Sequence, residues 1–258
     1  MKSFFALAIA GAASAAPMNE GDFKFMRYMV EFGKEYKTIE EFNMRKENFL
    51  FMESEIARHN SEQSTSFHAH NYLSDYTREE YKAMLRAIPP AQTNRVVIDQ
   101  PEAVQAIPTS HNWCPTSGTS SNATCNKIKN QGQCGSCWAF SSTGALEGAH
   151  CIKAGPANLL SFSEQQLVDC AGLRWGNFGC NGGLQQYAFN YYEKFYAMSE
   201  EAYPYAGVDQ PCAYDATNTT GVNVVSWAWV TPLVASGIEA ALYTQPLSIS
   251  IQANQICF

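Results

Sequence analysis

The sequence predicts an α+β fold, with helices early in the chain, strands late, and a separate helical segment ahead of the main domain. Three observations carry this. Residues 22–86 are charged, show helical periodicity and contain neither cysteine nor proline. Near residues 105–108 the composition changes to cysteine, glycine, tryptophan and tyrosine. Toward the C-terminus, valine-rich and alternating apolar runs replace the helical period. A chain of 258 residues, 46% hydrophobic and 16% charged, can bury one sizeable domain plus an extra segment.

Lys2 is followed by an apolar stretch from Phe4 to Ala10 and small residues through Ala16. Ala13-Ser14-Ala15 offers a small-x-small cleavage site, so residues 1–16 are expected to be a signal peptide. The apolar run is shorter than the roughly 20 residues of a spanning helix, and no other segment is long and apolar enough. Phe25, Met29, Phe32 and Tyr36 fall on one helix face, and Phe42, Phe49, Met52 and Ile56 on a second. Glu41 and Arg45, four apart, can pair there. The polar run Ser61–Ser66 breaks this helix, and an extended piece, Phe67–Leu73, follows. Thr77 with Glu80 is a capping box that opens a helix to Leu85. Pro89-Pro90 begins a linker that runs to Pro108.

Beyond the boundary, a helix is expected from Ser136 or Cys137 to Ala154, ended by Gly155-Pro156. Ser163 with Gln166 reads as a capping box for a helix to Cys170. Leu184, Ala188, Tyr191 and Phe195 give another helix. Val222–Val230 reads as a strand, Val234–Tyr243 as a helix, and Pro246–Gln252 as a strand. There are no internal repeats.

The net charge of −7 argues against a nucleic-acid partner. Nine cysteines, none before Cys114, fit an oxidising compartment, and their odd number leaves at least one thiol unpaired within the chain. Two glycosylation sequons, at Asn122 and Asn218, agree with secretion.

The chemistry concentrates at Cys137. A cysteine attacks as its thiolate, and a helix N-terminus stabilises that anion. Gly135 permits the tight turn before the helix. The side-chain amide of Gln131 can donate to an oxyanion alongside the Cys137 backbone N–H. Other roles are open to these residues. Cys134-Gly135-Ser136-Cys137 could be a redox pair, a zinc site with Cys170 and Cys180, or purely structural. A redox motif is expected near a βαβ pattern in a cytosolic chain, and a secretory compartment tends to oxidise zinc-binding thiolates.

The segment Gln131–Phe140 resembles the active-site segment of the papain and cathepsin family, whose signature is Cys-Gly-Ser/Ala-Cys-Trp/Tyr. Ser163–Cys170 and Gly179-Cys180-Asn181-Gly182-Gly183 look like two further family blocks, in the right order. The stretch from Leu184 to Tyr187-Ala188-Phe189 is more similar to the cathepsin L branch than to cathepsin B. Glu41, Arg45, Phe49, Ile56 and Asn60 fit the helix motif of the family's inhibitory propeptide, with Met52 where asparagine is usual. Asn71 and Asp75 fit its second motif, with Ala69 for glycine and Leu73 for phenylalanine.

The resemblance implies a two-lobed papain-like fold with a helical left lobe and a β-rich right lobe. Residues 17–106 would be the propeptide and 107–258 the peptidase domain. It implies Cys137 as nucleophile and Gln131 as oxyanion donor. Gly135, Asn181, Gly182, Gly183, Leu184 and Gln185 would line the substrate cleft. It also implies disulfides Cys134–Cys180 and Cys170–Cys212, and a third, local one is expected between Cys114 and Cys125. Polypeptide substrates and the chain's own propeptide are the expected partners of a monomer that needs no cofactor and no metal. The expected location is the secretory pathway, ending in a lysosome or vacuole or outside the cell.

One part is missing from this pattern. The family's histidine and asparagine lie about 130–150 residues after the cysteine, whereas 121 residues follow Cys137. The right lobe is therefore expected to be incomplete and the 258-residue chain inactive. The alternative function is that of a propeptide-type inhibitor of related peptidases. His59, His68 and His70 precede the boundary, His111 follows it closely, and His150 lies 13 positions after Cys137, about 20 Å along a helix axis.

Overall fold

Asn19 opens the first helix. Its side chain accepts from Asp22 N at 2.9 Å, and Asp22 accepts from Asn19 N at 3.1 Å. This reciprocal cap, which the sequence reading did not single out, starts α1 (Glu20–Phe32). The computed structural model describes residues 18–62, 65–85, 97–98, 108–114, 124–230 and 234–253. The expected signal peptide, most of the linker, Asn122 and Cys257 lie outside them.

The chain divides into two units, one ending at Thr77 and the other starting at Arg78. In the first, Gly33 ends α1 in a left-handed conformation (φ 62°), so Tyr36 lies beyond the helix on which its spacing placed it. It still stacks on Phe25, with ring centroids 5.9 Å apart. α2 (Ile39–Glu62) lays Phe42 and Phe49 against the same ring, at 5.3 and 5.4 Å. Phe25, Tyr28 and Phe49 are the buried centre of this small core, and burying each ring contributes about 2 kcal/mol. Met52 and Ile56 are only half-buried.

Asp75 organises the rest of the unit. It is 1% exposed and accepts from Tyr28 Oη (2.8 Å), Lys34 Nζ (2.9 Å) and Tyr36 Oη (2.8 Å). Its backbone carbonyl accepts from Arg45 (3.2 Å) and Asn48 (3.1 Å). Burial and the Asp75 carboxylate raise both phenols far above their ordinary range. Glu41 lies 3.9 Å from Arg45. Asn60 exchanges two hydrogen bonds with the backbone of His68, and Asn71 accepts from Leu73 N. Residues 72–75 form a turn and residues 67–71 have no regular structure, so the expected extended piece, Phe67–Leu73, pairs in no strand.

In the second unit, α3 (Arg78–Met84) precedes a two-residue strand β1 (Val97–Ile98). α4 (Cys137–Ala154) packs against α5 (Glu164–Cys170) and α6 (Gln185–Tyr192). Trp138, Phe162, Leu167, Tyr191 and Tyr192 fill the space between them. β2 is confined to Trp229–Val230 and pairs in parallel with β1; α7 (Ala235–Thr244) follows.

Three expectations change here. Val222–Val230 is a strand only in its last two residues. Its earlier backbone is bound elsewhere: Val222 O accepts from Ala197 N, and Val224 N donates to Tyr192 O. Residues 246–252 form no strand. A strand exists by pairing, and these residues have no ladder partner among those described; Ile249 and Ile251 are 61% and 62% exposed. The box at Ser163 is half-formed. Its hydroxyl accepts from Gln166 N at 2.9 Å, but Ser163 N donates to Met198 O. Gln166 instead accepts from Met198 N.

Candidate active site

Cys137 is the first residue of α4, is half-buried, and belongs to none of the three disulfides. The turn before it is fixed from outside the helix. Gly135 N donates to Cys180 O at 2.9 Å, and Cys134, 1% exposed, is disulfide-bonded to Cys180. Trp138, fully buried, donates to Gly179 O at 3.2 Å. Cys137 is thus pinned on both sides to the Gly179–Asn181 turn. Gln131 lies on the preceding loop, where its side-chain amide donates to Cys134 O at 2.8 Å and to Met84 O of α3 at 3.4 Å.

Gly182 and Gly183 follow the turn, and glycine is required at each. Gly182 stands at φ 112°, and a Cβ on Gly183 would come within 2.8 Å of the Trp138 ring. Both are buried, and Asn181 is exposed. Leu184 is buried, its backbone N–H held by Asn177 Oδ1 at 2.8 Å. Gln185 is braced rather than open: its amide donates to Ile249 O (3.0 Å) and Ser250 Oγ (2.8 Å).

Disulfides also join Cys170 to Cys212 and Cys114 to Cys125, with Cα atoms 4.8 and 5.2 Å apart. Cys151, fully buried on α4, belongs to none of these disulfides, and burial raises its thiol. A peptide map without reduction is expected to recover the Cys114–Cys125 link, and brief alkylation of the folded chain to modify Cys137 long before Cys151. A modified Cys114 or Cys125, or modification of Cys151 before Cys137, would contradict this arrangement.

Residues 107–258 match the profile of the papain family cysteine proteases, and residues 25–81 that of the cathepsin propeptide inhibitor domain. The chain belongs to the papain family. Among its relatives, digestive cysteine proteinase 1 of Homarus americanus is 34% identical over 238 residues, covering 88% of this chain and 70% of the relative. Cysteine proteinase 6 of Dictyostelium discoideum is 34% identical, covering 91% and 52%. The solved structure of digestive procathepsin L 3 from Tenebrio molitor larval midgut superposes with a TM-score of 0.74 at 28% identity, covering 88% of this chain and 71% of that one. The papain-like fold with its propeptide domain and the cathepsin L-like character of the relatives follow from these matches.

Helices α4 and α5 of this papain-family domain share a charged cluster that sequence reasoning missed. Lys129 Nζ lies 2.8 Å from Glu147 Oε1 and 2.7 Å from Glu164 Oε1, which also accepts from Thr143 Oγ1 at 2.6 Å. Glu164 is 1% exposed, and its Oε2 accepts no hydrogen bond. Burial pushes its carboxyl up to about 7, although Lys129 and Thr143 pull it down. Burial lowers the Lys129 ammonium, but the two carboxylates outweigh that and hold it above its ordinary value. A cavity of about 400 Å³ reaches this cluster, lined by Lys129, Phe140, Glu164, Glu200 and Tyr205 and not by Cys137.

Of the histidines in this unit, His150 is on α4, 13 residues from Cys137, and its ring lies 6.1 Å from that of Phe162. His111 packs between Trp113 and Tyr243, at 4.5 and 5.0 Å. Among the described residues, no group of three or more His, Cys, Asp or Glu side chains could hold a metal ion. No helix among them is long and apolar enough to cross a membrane.

Proposed function

We propose that this chain is the zymogen of a cysteine-type endopeptidase, with Cys137 as nucleophile, Gln131 as oxyanion donor and residues 17–106 as an intramolecular inhibitor. The observation that carries this reading is the bond from Gln131 Nε2 to Met84 O. The amide assigned to a substrate's developing oxyanion already holds a peptide carbonyl, supplied by the last residue of α3, a helix that begins inside the matched propeptide segment and ends ahead of the peptidase segment.

In the reaction, the Cys137 thiolate bonds to the acyl carbon of a peptide and the carbonyl pair moves onto oxygen. The N–H groups at Gln131 and Cys137 stabilise that charge. The amine leaves with a proton, and water then releases the acid and the thiol. The proton carrier in the family pattern is a histidine about 130–150 residues past the cysteine. Gly182 and Gly183 would pair with an extended substrate backbone once the cleft is open, with Asn181 and Leu184 beside them. Asn218, exposed, is a glycosylation site on this reading, and the location is the secretory pathway, ending in a lysosome or vacuole or outside the cell.

Incubation of the chain with a peptidyl chloromethyl ketone tests the assignment. Cys137 is expected to be labelled, and faster after a cut within residues 85–106. Labelling that prefers Cys151, or that slows after the cut, would sink it. A second reading has an observation of its own. The first unit has a private aromatic core and a buried ion pair, Lys34–Asp75, as an inhibitor acting in trans would need. Inhibition of a related peptidase by residues 17–105 would support it.

A further inference from the structure

Two serines precede helices in the peptidase domain, and they behave differently. Ser163 has extended backbone (φ −76°, ψ 116°) and caps α5 by accepting from Gln166 N. Ser136, immediately before Cys137, stands at φ −99°, ψ 16°, and its side chain caps nothing. Serine is among the strongest N-cap residues, worth about 1 kcal/mol in that role, so something holds Ser136 away from it. The holder is Tyr205. The Tyr205 phenol oxygen lies 2.6 Å from Ser136 Oγ and 2.8 Å from Gln131 O. A carbonyl only accepts, so the single phenol proton goes to Gln131, and Ser136 donates to Tyr205. Burial raises the phenol, which keeps that proton in place.

We propose that Tyr205 is a positioning residue for the catalytic pair. One phenol oxygen ties the backbone of the oxyanion donor to the residue before the nucleophile, and it draws the Ser136 hydroxyl away from the N-terminus of α4. Without that restraint, Ser136 relaxes to extended backbone and caps the helix. Its hydroxyl oxygen then takes a first-turn N–H whose partial positive charge otherwise favours the Cys137 thiolate.

The ring is held independently of these two bonds. It meets Phe140 edge-on at 4.8 Å, and Tyr205 N donates to Glu200 Oε1 at 2.8 Å. The titratable groups facing it are Glu200, Glu164 and Lys129 across the shared cavity, and none is altered by removing the phenol oxygen. The adjacent pair in the same segment shows the contrast. Tyr203 offers its carbonyl, which accepts from Ser163 Oγ at 2.6 Å and leaves that oxygen's lone pairs free to cap. Tyr205 offers a hydroxyl already committed as a donor, which fixes Ser136 as the other donor.

This inference rests on Cys137 being the nucleophile. Its test is the pH midpoint of Cys137 alkylation by iodoacetamide in the 258-residue chain, followed by peptide mass. Tyr205→Phe is expected to raise the midpoint by roughly half a pH unit, about threefold in thiolate affinity for its proton. The double variant Tyr205→Phe/Ser136→Ala, which cannot cap, is expected to bring it back to the wild-type value. A tyrosine that only filled space would not be compensated by deleting a second hydroxyl. An unmoved midpoint in Tyr205→Phe, or one that stays raised in the double variant, overturns the inference and leaves the nucleophile assignment standing. Wild-type chain in which Cys137 reacts no faster than Cys151 overturns both.

Discussion

Raising the pH from 4.5 to 8 is expected to lower the unfolding free energy of the C-terminal unit by roughly 3 kcal/mol. The cause is Glu164, buried beside Lys129, whose carboxyl is pushed by desolvation from the ordinary 4.5 to about 7 in the folded chain. A raised folded pKa means that the native state holds the proton more tightly than the unfolded one. The stabilisation is therefore complete below pH 4.5 and is lost as pH climbs through 7. The magnitude follows from about 1.4 kcal/mol per unit of difference, and burial of the side chain leaves little solvent screening to reduce it. All five tryptophans follow Thr77, so urea unfolding read by tryptophan fluorescence reports this unit without contribution from the other. Glu164→Gln is expected to flatten the dependence between pH 4.5 and 8. A flat wild-type profile, or an unchanged slope in the variant, would refute the assignment.

Asp75→Asn is expected to remove about 3–5 kcal/mol from the first unit, enough to unfold it. Lys34 and Asp75 form a pair whose side chains are 5% and 2% exposed, and breaking one side of a buried pair leaves the other charge uncompensated. Two phenols lose a charged acceptor as well. Loss of helical circular dichroism and rapid proteolysis within residues 18–77 are the readouts. Glu62→Gln, at an exposed pair with Arg58, is the control and is expected to change little. Near-equal effects of the two substitutions would refute the central role of Asp75.

The two units respond to acid in opposite senses. In the first, hydrogen bonds from Lys24 and His70 hold Glu53 below its ordinary range, and one from Lys46 does the same for Asp22. Depressed carboxyls stabilise above pH 4.5 and 3.8 respectively, and that contribution is lost as pH falls through their lowered values. In the second, Glu164 stabilises as pH falls. Acid thus loosens the inhibitory unit while it tightens the lobe that carries Cys137.

Helices were legible because their signals are local. Thr77 before Arg78, Gly155 after Ala154 and Ser163 before Glu164 mark ends wherever the helix lies in the fold. The strands were not, because Val222–Val230 and Pro246–Gln252 carry β composition but a ladder depends on distant partners, and Val97–Ile98 has no pattern that announces one. Cys137 and Gln131 were readable from a short contiguous motif. Asp75 stood in its motif as well, but nothing in the sequence ties it to Lys34 and Tyr36, 41 and 39 residues earlier. Lys129, Glu147 and Glu164 meet across three elements, and Tyr205 meets Ser136 across 69 residues. Burial, which no spacing reports, made those contacts consequential.

The bond between Gln131 and Met84 is made by a helix that is part of the same chain. A tethered group samples its site at an effective concentration in the millimolar range for short flexible linkers, whatever the dilution of the protein. A contact of only millimolar affinity then suffices to keep Gln131 occupied. A single peptide-bond cut between residues 85 and 106 leaves every atom of that contact in place and removes the tether. Occupancy then falls to what the bulk concentration of the released piece can sustain. On this arithmetic, weak binding by α3 is what allows one cut to release the site.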